Sequence, residues 1–207
     1  MRAVIPYKKT KAKSRLSSVL TLKEREEFVE SMLKDVVNTL SDAQIKNIDV
    51  LTTTSNSIPD NLDVKVITSE HGLNEAINSY LKNIQEPVLI IMADLPLVKS
   101  NHITDIINTK KDVVIVPGKG GGTNILYLKK PEKFTVKYYG SSFLTHCNIA
   151  KKNLNAVEIY DSFLASTDID EPHDLVEILL HGQGLSRKYI EKKFEIDDSR
   201  GRLKLKC

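Results

Sequence analysis

Residues 88–92, Val-Leu-Ile-Ile-Met, form a short unbroken apolar run, bounded in front by Pro87 and closed behind by Asp94 and Pro96. Such a run reads as a strand buried on both faces, the usual centre of a parallel sheet, and it is too short to cross a membrane. Asp94 arrives where the run stops. In open α/β sheets, ligands bind beyond the carboxyl ends of the central strands. A carboxylate at that point suits a metal or a substrate. An Asp just before Pro96 suits a turn equally well.

The rest of the chain alternates in the way such a strand requires. Ala3–Ile5 reads as a first strand ended by Pro6. Thr21 and Glu24 have the spacing of a capping box, and Phe28, Val29, Met32, Leu33, Val36, Val37 and Leu40 then repeat at helical spacing to about Ser41. Strands are expected at 48–51, 64–67, 113–116 and 125–128, the last as an antiparallel return, with a last core strand at 156–160. Helices are expected at 72–82, around Ile103–Ile107 and at 143–150. A further helix has Pro172 in its first turn and stops at Gly182 and Gly184. Strands alternating with helices, joined by right-handed crossovers, give an α/β fold: a mixed, mainly parallel sheet with helices on both faces. Residues 1–184 make that domain. Residues 185–207 read as an extension with a short helix at 186–192 and a hairpin turning at Asp198–Gly201. A lone hairpin is marginal in water, so Phe194, Ile196, Leu203 and Leu205 need a surface to pack on. Either a homodimer contact or the same chain's core would serve.

Charge and cysteine content narrow the function classes. The formal net charge of +3 is too small by itself to mark a nucleic-acid binder, and a basic face that bound one would carry interleaved aromatics, whereas residues 1–15 offer only Tyr7. The only cysteines are Cys147 and Cys207, which supply neither a disulfide framework nor a zinc site. No apolar signal region and no membrane-length apolar run is present, so a cytoplasmic protein is expected.

Four constellations carry chemistry. Lys8, Lys9, Lys11, Lys13 and Arg15 follow the first strand and face the Asp94 edge. Such cations can wrap a polyphosphate, Arg15 with bidentate bonds and the lysines as point charges, or form a solvated loop. Asp168 and Asp170 flank one residue, so in an extended segment both carboxylates share a face. With Asp94 they make three hard oxygen donors, suited to Mg2+ or Mn2+. Capping of the helix after Pro172 is their plainer role. Pro117-Gly-Lys-Gly-Gly-Gly-Thr-Asn124 is neither a Walker A loop nor a dinucleotide fingerprint, but its backbone is free to aim N–H groups at an anion. Gly140-Ser-Ser142, before a helix, is a second anion cradle. The five histidines show no metal-ligand spacing and are assigned to surface or packing roles. No nucleophile motif is found.

In order along the chain, Ile5-Pro-Tyr-Lys8, Ala12-Lys-Ser-Arg-Leu16, Gly72-Leu-Asn-Glu-Ala76, Met92-Ala-Asp-Leu-Pro-Leu97, Pro117–Asn124, Tyr139-Gly-Ser-Ser-Phe143 and Asp168-Ile-Asp170 with Asp174-Leu175 together resemble the archaeal 2-phospho-L-lactate guanylyltransferase family, nearly end to end. The resemblance implies a nucleotide-diphospho-sugar-transferase-like fold, of the kind seen in molybdenum-cofactor guanylyltransferases. It implies transfer of GMP from GTP to 2-phospho-L-lactate with release of pyrophosphate, a step in building coenzyme F-420; some relatives use phosphoenolpyruvate instead. Carried over residue by residue, Pro6, Lys13, Arg15, Asn74 and Asp94 bind the nucleotide, with Asn74 reading the base edge. Lys13, Arg15 and Asp94 serve catalysis. Asp94, Asp168 and Asp170 hold the metal, while Thr123, Gly140 and Ser142 bind the acceptor. Relatives carry a longer Gly-Pro-Gly-Ser-like turn near Gly140, so both Ser141 and Ser142 are candidates for the acceptor role.

Two other classes fit parts of the pattern. A sugar-nucleotide glycosyltransferase also binds Mn2+ through Asp-x-Asp, but it usually needs an acceptor domain for which this chain has little room. A basic nucleic-acid-binding protein would use the charged ends.

Overall fold

The computed structural model describes residues 1–55, 58–153, 156–197 and 202–206. Strands β1 (Arg2–Tyr7), β2 (Asn47–Thr52), β3 (Lys65–Thr68), β4 (Val88–Ile91), β5 (Val113–Pro117), β6 (Thr123–Leu128) and β7 (Val157–Ile159) form one sheet in the order β3-β2-β1-β4-β6-β5-β7. The apolar run 88–91 is its middle strand, and all four residues are fully buried. β1 runs parallel to β2 and β4, while β6 is antiparallel to both β4 and β5. The mixed, mainly parallel sheet and the antiparallel return strand are as the alternation predicts.

The pleat divides the strand between two cores. Leu89 and Ile91 face one side with Ala3, Ile5, Val114 and Ile125, packed under α1 (Leu22–Asp42), α3 (Ser100–Ile107) and α6 (Asp174–His181). Val88 and Ile90 face the other with Val4, Ile115 and Leu126, covered by α2 (Leu73–Lys82), α4 (Ser142–Asn153), Phe134 and Val136. α1 begins as its capping box requires: Thr21 Oγ1 accepts from Glu24 N–H, and Glu24 Oε2 accepts from Thr21 N–H at 2.8 Å. Among the described residues no helix is long and apolar enough to cross a membrane.

Three expectations need correction. Pro6 does not end β1, which continues to Tyr7 in register with β2. Pairing with β4 stops at Val4, so Pro6 lies where β1 has a ladder partner on one side only and a proline is tolerated. β7 is an edge strand rather than a core one, and Ile159 on it is 44% exposed. Pro172 precedes its helix instead of lying in the first turn; His173 is the N-cap and Asp174 the first helical residue.

The C-terminal segment is built into the same core. After the short α5 (Phe163–Ser166), α6 leads to α7 (Leu185–Ile190), whose Tyr189 ring stacks on Phe28 of α1 at 6.0 Å. Asp35 of α1 accepts the Leu185 and Ser186 N–H groups at 2.7 and 2.8 Å. Only glycine fits at 184, since an added Cβ would lie 2.2 Å from Asp35 Oδ1. β8 (Phe194–Asp197) and β9 (Arg202–Leu205) pair antiparallel. Phe194 is 2% exposed, and Ile196 and Leu203 pack on the same cluster. The expected turn at Asp198–Gly201 lies outside the described residues.

Candidate active site

The strand order reverses between β1 and β4, and a crevice opens at the carboxyl ends of such neighbours. The basic segment after β1 is held over this crevice. Lys11 and Lys13 take left-handed backbone conformations, φ 54° and 52°. Leu16 anchors the following 3-10 turn in the core, Arg25 donates to the Ala12 and Leu20 carbonyls, and Lys9 pairs with Glu30 at 2.8 Å. The segment is therefore fixed to α1, while Lys8, Lys11 and Arg15 stay exposed to solvent.

Lys13 Nζ donates to Asp94 Oδ2 at 2.6 Å and also to the Asp170 carboxylate. Its side chain is only 10% exposed. Burial alone would lower the Lys13 pKa, but the two facing carboxylates outweigh it and raise the value. Arg15 adds a bond to Asp170 Oδ2 at 3.2 Å from a more exposed position. The acidic segment reaches the crevice because Ile169 N–H bonds the Asp94 carbonyl at 3.1 Å, while the Ile169 side chain is buried in the core. Asp168 and Asp170 thus lie together on the side away from Ile169. Asp168 Oδ1 is buried without a hydrogen-bond partner. Burial first, then the neighbouring Asp94, raises its pKa.

Asp174 ties this segment to the glycine loop. It is 2% exposed, accepts the Asp170 and Glu171 N–H groups at 2.9 and 2.8 Å, and pairs with Lys119. Burial would raise its pKa, but Lys119 and the two N–H groups hold it below the ordinary carboxylate range. The role of Asp174 was detectable in the sequence as an Asp in the first turn after Pro172; that of Lys119 was not.

Among the described residues no three His, Cys, Asp or Glu side chains are arranged to hold a metal, and the Lys13 ammonium lies between Asp94 and Asp170. The donors still suit Mg2+, which takes one or two protein carboxylates and completes its shell with substrate phosphates and water. The unpartnered Asp168 oxygen beside Asp94 fits that need.

On the β2 side of the crevice, Pro6, Tyr7, Leu51, Thr52, Gly72 and Tyr139 line a cavity of about 370 Å³. Pro6, a nucleotide contact by the resemblance, is on the cavity wall. Asn74 is turned differently: its Oδ1 accepts Tyr138 N–H at 2.7 Å. With Asn78, which bonds both the N–H and carbonyl of Val136, it holds down the strap that carries Tyr139. The amide nitrogen of Asn74 and the second lone pair of its oxygen are left to meet a base.

Because β6 is antiparallel to β4, its first residue, Thr123, lies at the Asp94 edge; Met92 N–H bonds the Asn124 carbonyl at 3.0 Å. Gly120 and Gly121 have φ 71° and 85°, Gly140 has φ 72°, and a Cβ added at any of the three would meet nothing within 4 Å. Thr123 and Ser142 meet directly, Oγ to Oγ at 3.2 Å, and His146 Nδ1 lies 2.9 Å from the threonine hydroxyl. The structure brings Thr123 and Ser142 together, with Gly140 two residues before the serine, and adds His146. That histidine has a packing role, as assigned, but also joins the polar site. Its spacing one turn after Ser142 was the available signal.

Residues 1–205 match the model of a protein family described as "Guanylyl transferase CofC like". Two curated relatives, from Methanococcoides burtonii and Methanosarcina mazei, are each 58% identical over 205 residues, covering 99% of this chain and 95% and 99% of theirs. Both are named 2-phospho-L-lactate guanylyltransferase. Among solved structures, a Desulfovibrio desulfuricans protein described as a candidate nucleotide-diphospho-sugar transferase aligns with TM-score 0.73 at 14% identity, over 93% of this chain and 95% of that one. The 4-diphosphocytidyl-2C-methyl-D-erythritol synthase of Anaerococcus prevotii aligns with TM-score 0.59 at 12% identity, over 92% and 97%. At such identities the structures speak for the fold alone. Neither the glycosyltransferase nor the nucleic-acid-binding alternative is favoured by the relatives.

Proposed function

We propose, because this chain belongs to the CofC-like guanylyl transferase family, that it transfers GMP from GTP to 2-phospho-L-lactate and releases pyrophosphate, in the building of coenzyme F-420. The observation that carries the reading is Lys13 held at the end of the central strand between Asp94 and Asp170, with a cavity of about 370 Å³ on the β2 side. The base enters the cavity beside Pro6 and Tyr139, and the triphosphate crosses to Lys13 and Arg15. The acceptor lies between the glycine loop and Gly140–Ser142.

No protein nucleophile is required. A phosphate oxygen of the acceptor bonds to the α-phosphorus of GTP, and the bond from that phosphorus to the bridging oxygen breaks, so pyrophosphate leaves with the electron pair. Lys13 and Arg15 neutralise the charge that builds on the leaving group. Catalysis is then positioning and electrostatic stabilisation. One or two of Asp94, Asp168 and Asp170 would hold a Mg2+ or Mn2+ ion, which when bound would neutralise phosphate charge. The backbone at Gly140 and the Thr123–Ser142 pair orient the acceptor. The same reading makes the protein a cytoplasmic homodimer. Of the hairpin residues a dimer contact would use, Leu205 is exposed, while Phe194, Ile196 and Leu203 pack on the chain's own core.

The test is pyrophosphate release with each nucleoside triphosphate in turn, with and without 2-phospho-L-lactate. GTP together with that acceptor should be the productive pair. Release that ignores the acceptor, or that favours another triphosphate, overturns the reading. A glycosyltransferase would release none.

A further inference from the structure

His146 is buried between the rings of Phe134 and Tyr138, 5.8 and 4.9 Å from them. Its two nitrogens have different partners. The backbone N–H of Lys137 points at Nε2 at 2.9 Å, so Nε2 must accept. A neutral imidazole carries one N–H, which therefore sits on Nδ1 and donates to Thr123 Oγ1 at 2.9 Å. A protonated ring would set Nε2–H against Lys137 N–H. Burial opposes that form too, pushing the His146 pKa down to about 4.

The tautomer decides how the protons of the buried Thr123–Ser142 pair are used. With Nδ1–H donating, three protons are present: one on the ring and one on each hydroxyl. The ring-to-threonine bond uses one, and the bond between the hydroxyls uses a second. One hydroxyl proton is left over, whichever way the Ser142–Thr123 bond runs. With the opposite tautomer Thr123 would donate to Nδ1 and Ser142 to Thr123, and none would remain. Carboxylate and phosphate oxygens only accept hydrogen bonds, so a surplus donor is what an anionic ligand needs. Gly140, two residues before Ser142, borders open space.

We infer that His146 is a positioning residue for the acceptor: its tautomer, set by the Lys137 backbone N–H, forces one hydroxyl of the Thr123–Ser142 pair to donate to an anionic oxygen of the bound acceptor. The inference rests on the proposed acceptor subsite, but its first observable does not depend on activity. Long-range 1H–15N correlation spectra of the substrate-free, 15N-labelled full chain at neutral pH should show His146 as the Nδ1–H tautomer. An Nε2–H tautomer or an imidazolium overturns the inference whatever the enzyme's substrate.

The second readout is kinetic. His146→Leu removes the donor, and the acceptor KM should rise by about tenfold or more while the GTP KM stays near wild type. His146→Asn places an amide N–H close to the Nδ1 position and should recover most of that loss. An unchanged acceptor KM in a folded His146→Leu protein overturns the inference. So does an Asn variant no better than Leu. Should the leucine variant fail to fold, the spectrum still decides. Absence of pyrophosphate release by the wild-type protein would instead strike the proposed function and leave the tautomer result standing.

Discussion

The Lys13 ammonium and the Asp94 carboxylate, 81 positions apart in the chain, meet at 2.6 Å beyond the end of the central strand. In the proposed mechanism Asp94 is the group through which the strand end acts. Asp94→Asn is expected to cut turnover by at least about a hundredfold, the typical loss when one preorganised electrostatic group is removed. Circular dichroism should show the fold intact. Near-normal turnover of this variant with Mg2+ present would remove Asp94 from the mechanism.

Asp168 is expected to trade stability for function. Burial and then Asp94 raise its pKa, so the folded state holds its proton more tightly than the unfolded chain does. The ionised form therefore costs stability, fully above the folded pKa and not at all below the unfolded value near ~3.9. Metal-free Asp168→Asn should melt higher than wild type at pH 7, by about 2–4 °C for each kcal/mol recovered. That advantage should shrink as pH falls towards 4, while turnover is lost at every pH. Calorimetry in chelator at both pH values checks it; a lower melting temperature at pH 7 would count against the account.

Asp174 has the opposite sign. Its pKa is held down by Lys119 and two backbone N–H groups, which outweigh burial. Its stabilising contribution is present above the unfolded value and is lost as pH falls through the folded one. Asp174→Ala should cost about 1.5–3 kcal/mol for hydrogen bonds to a charged group. Its melting curve should converge on wild type in acid. Equal melting temperatures at pH 7 would mean that the clasp between Lys119 and residues 170–171 is not stabilising.

Phe194, at 2% exposure, makes the C-terminal segment part of the main core. Phe194→Ala is expected to destabilise the protein by about 3–5 kcal/mol, as for other buried aromatics. Denaturant titration measures it, and a loss well under 1 kcal/mol would show that the hairpin is dispensable. Self-association is read separately. Sedimentation of the full chain at micromolar concentration should show a dimer, and a monomer there ends the dimer hypothesis.

Acceptor choice should be a matter of degree. 2-Phospho-L-lactate and phosphoenolpyruvate differ mainly at one carbon, tetrahedral in the first and planar in the second. Apolar contacts discriminate such a change by about 1–3 kcal/mol. Competition at equal concentrations should favour 2-phospho-L-lactate with measurable use of the other. A preference beyond roughly a thousandfold would require a specific clash or hydrogen bond.

The sheet was legible in the sequence because its signals are local. An unbroken apolar run bounded by proline and aspartate marks a strand covered on both faces, and residues 88–91 are that strand. The Thr21–Glu24 spacing marks a helix start within four residues, and the bonds are there. Asp94, Asp168 and Asp170 could be nominated because carboxylates at a strand end and at alternate positions suit a metal or substrate, although a turn and a helix cap would have used them as well. What the sequence could not contain was the pairing. Lys13 meets Asp170 across 157 positions, and one lysine can satisfy either carboxylate only once the sheet sets β1 and β4 side by side. The resemblance made Asn74 a reader of the base edge; the fold engages its oxygen with Tyr138, 64 positions away. His146 looked like packing, and its buried ring is packing. Its second task follows from which nitrogen the Lys137 N–H happens to face, a direction that only the closed tertiary structure decides.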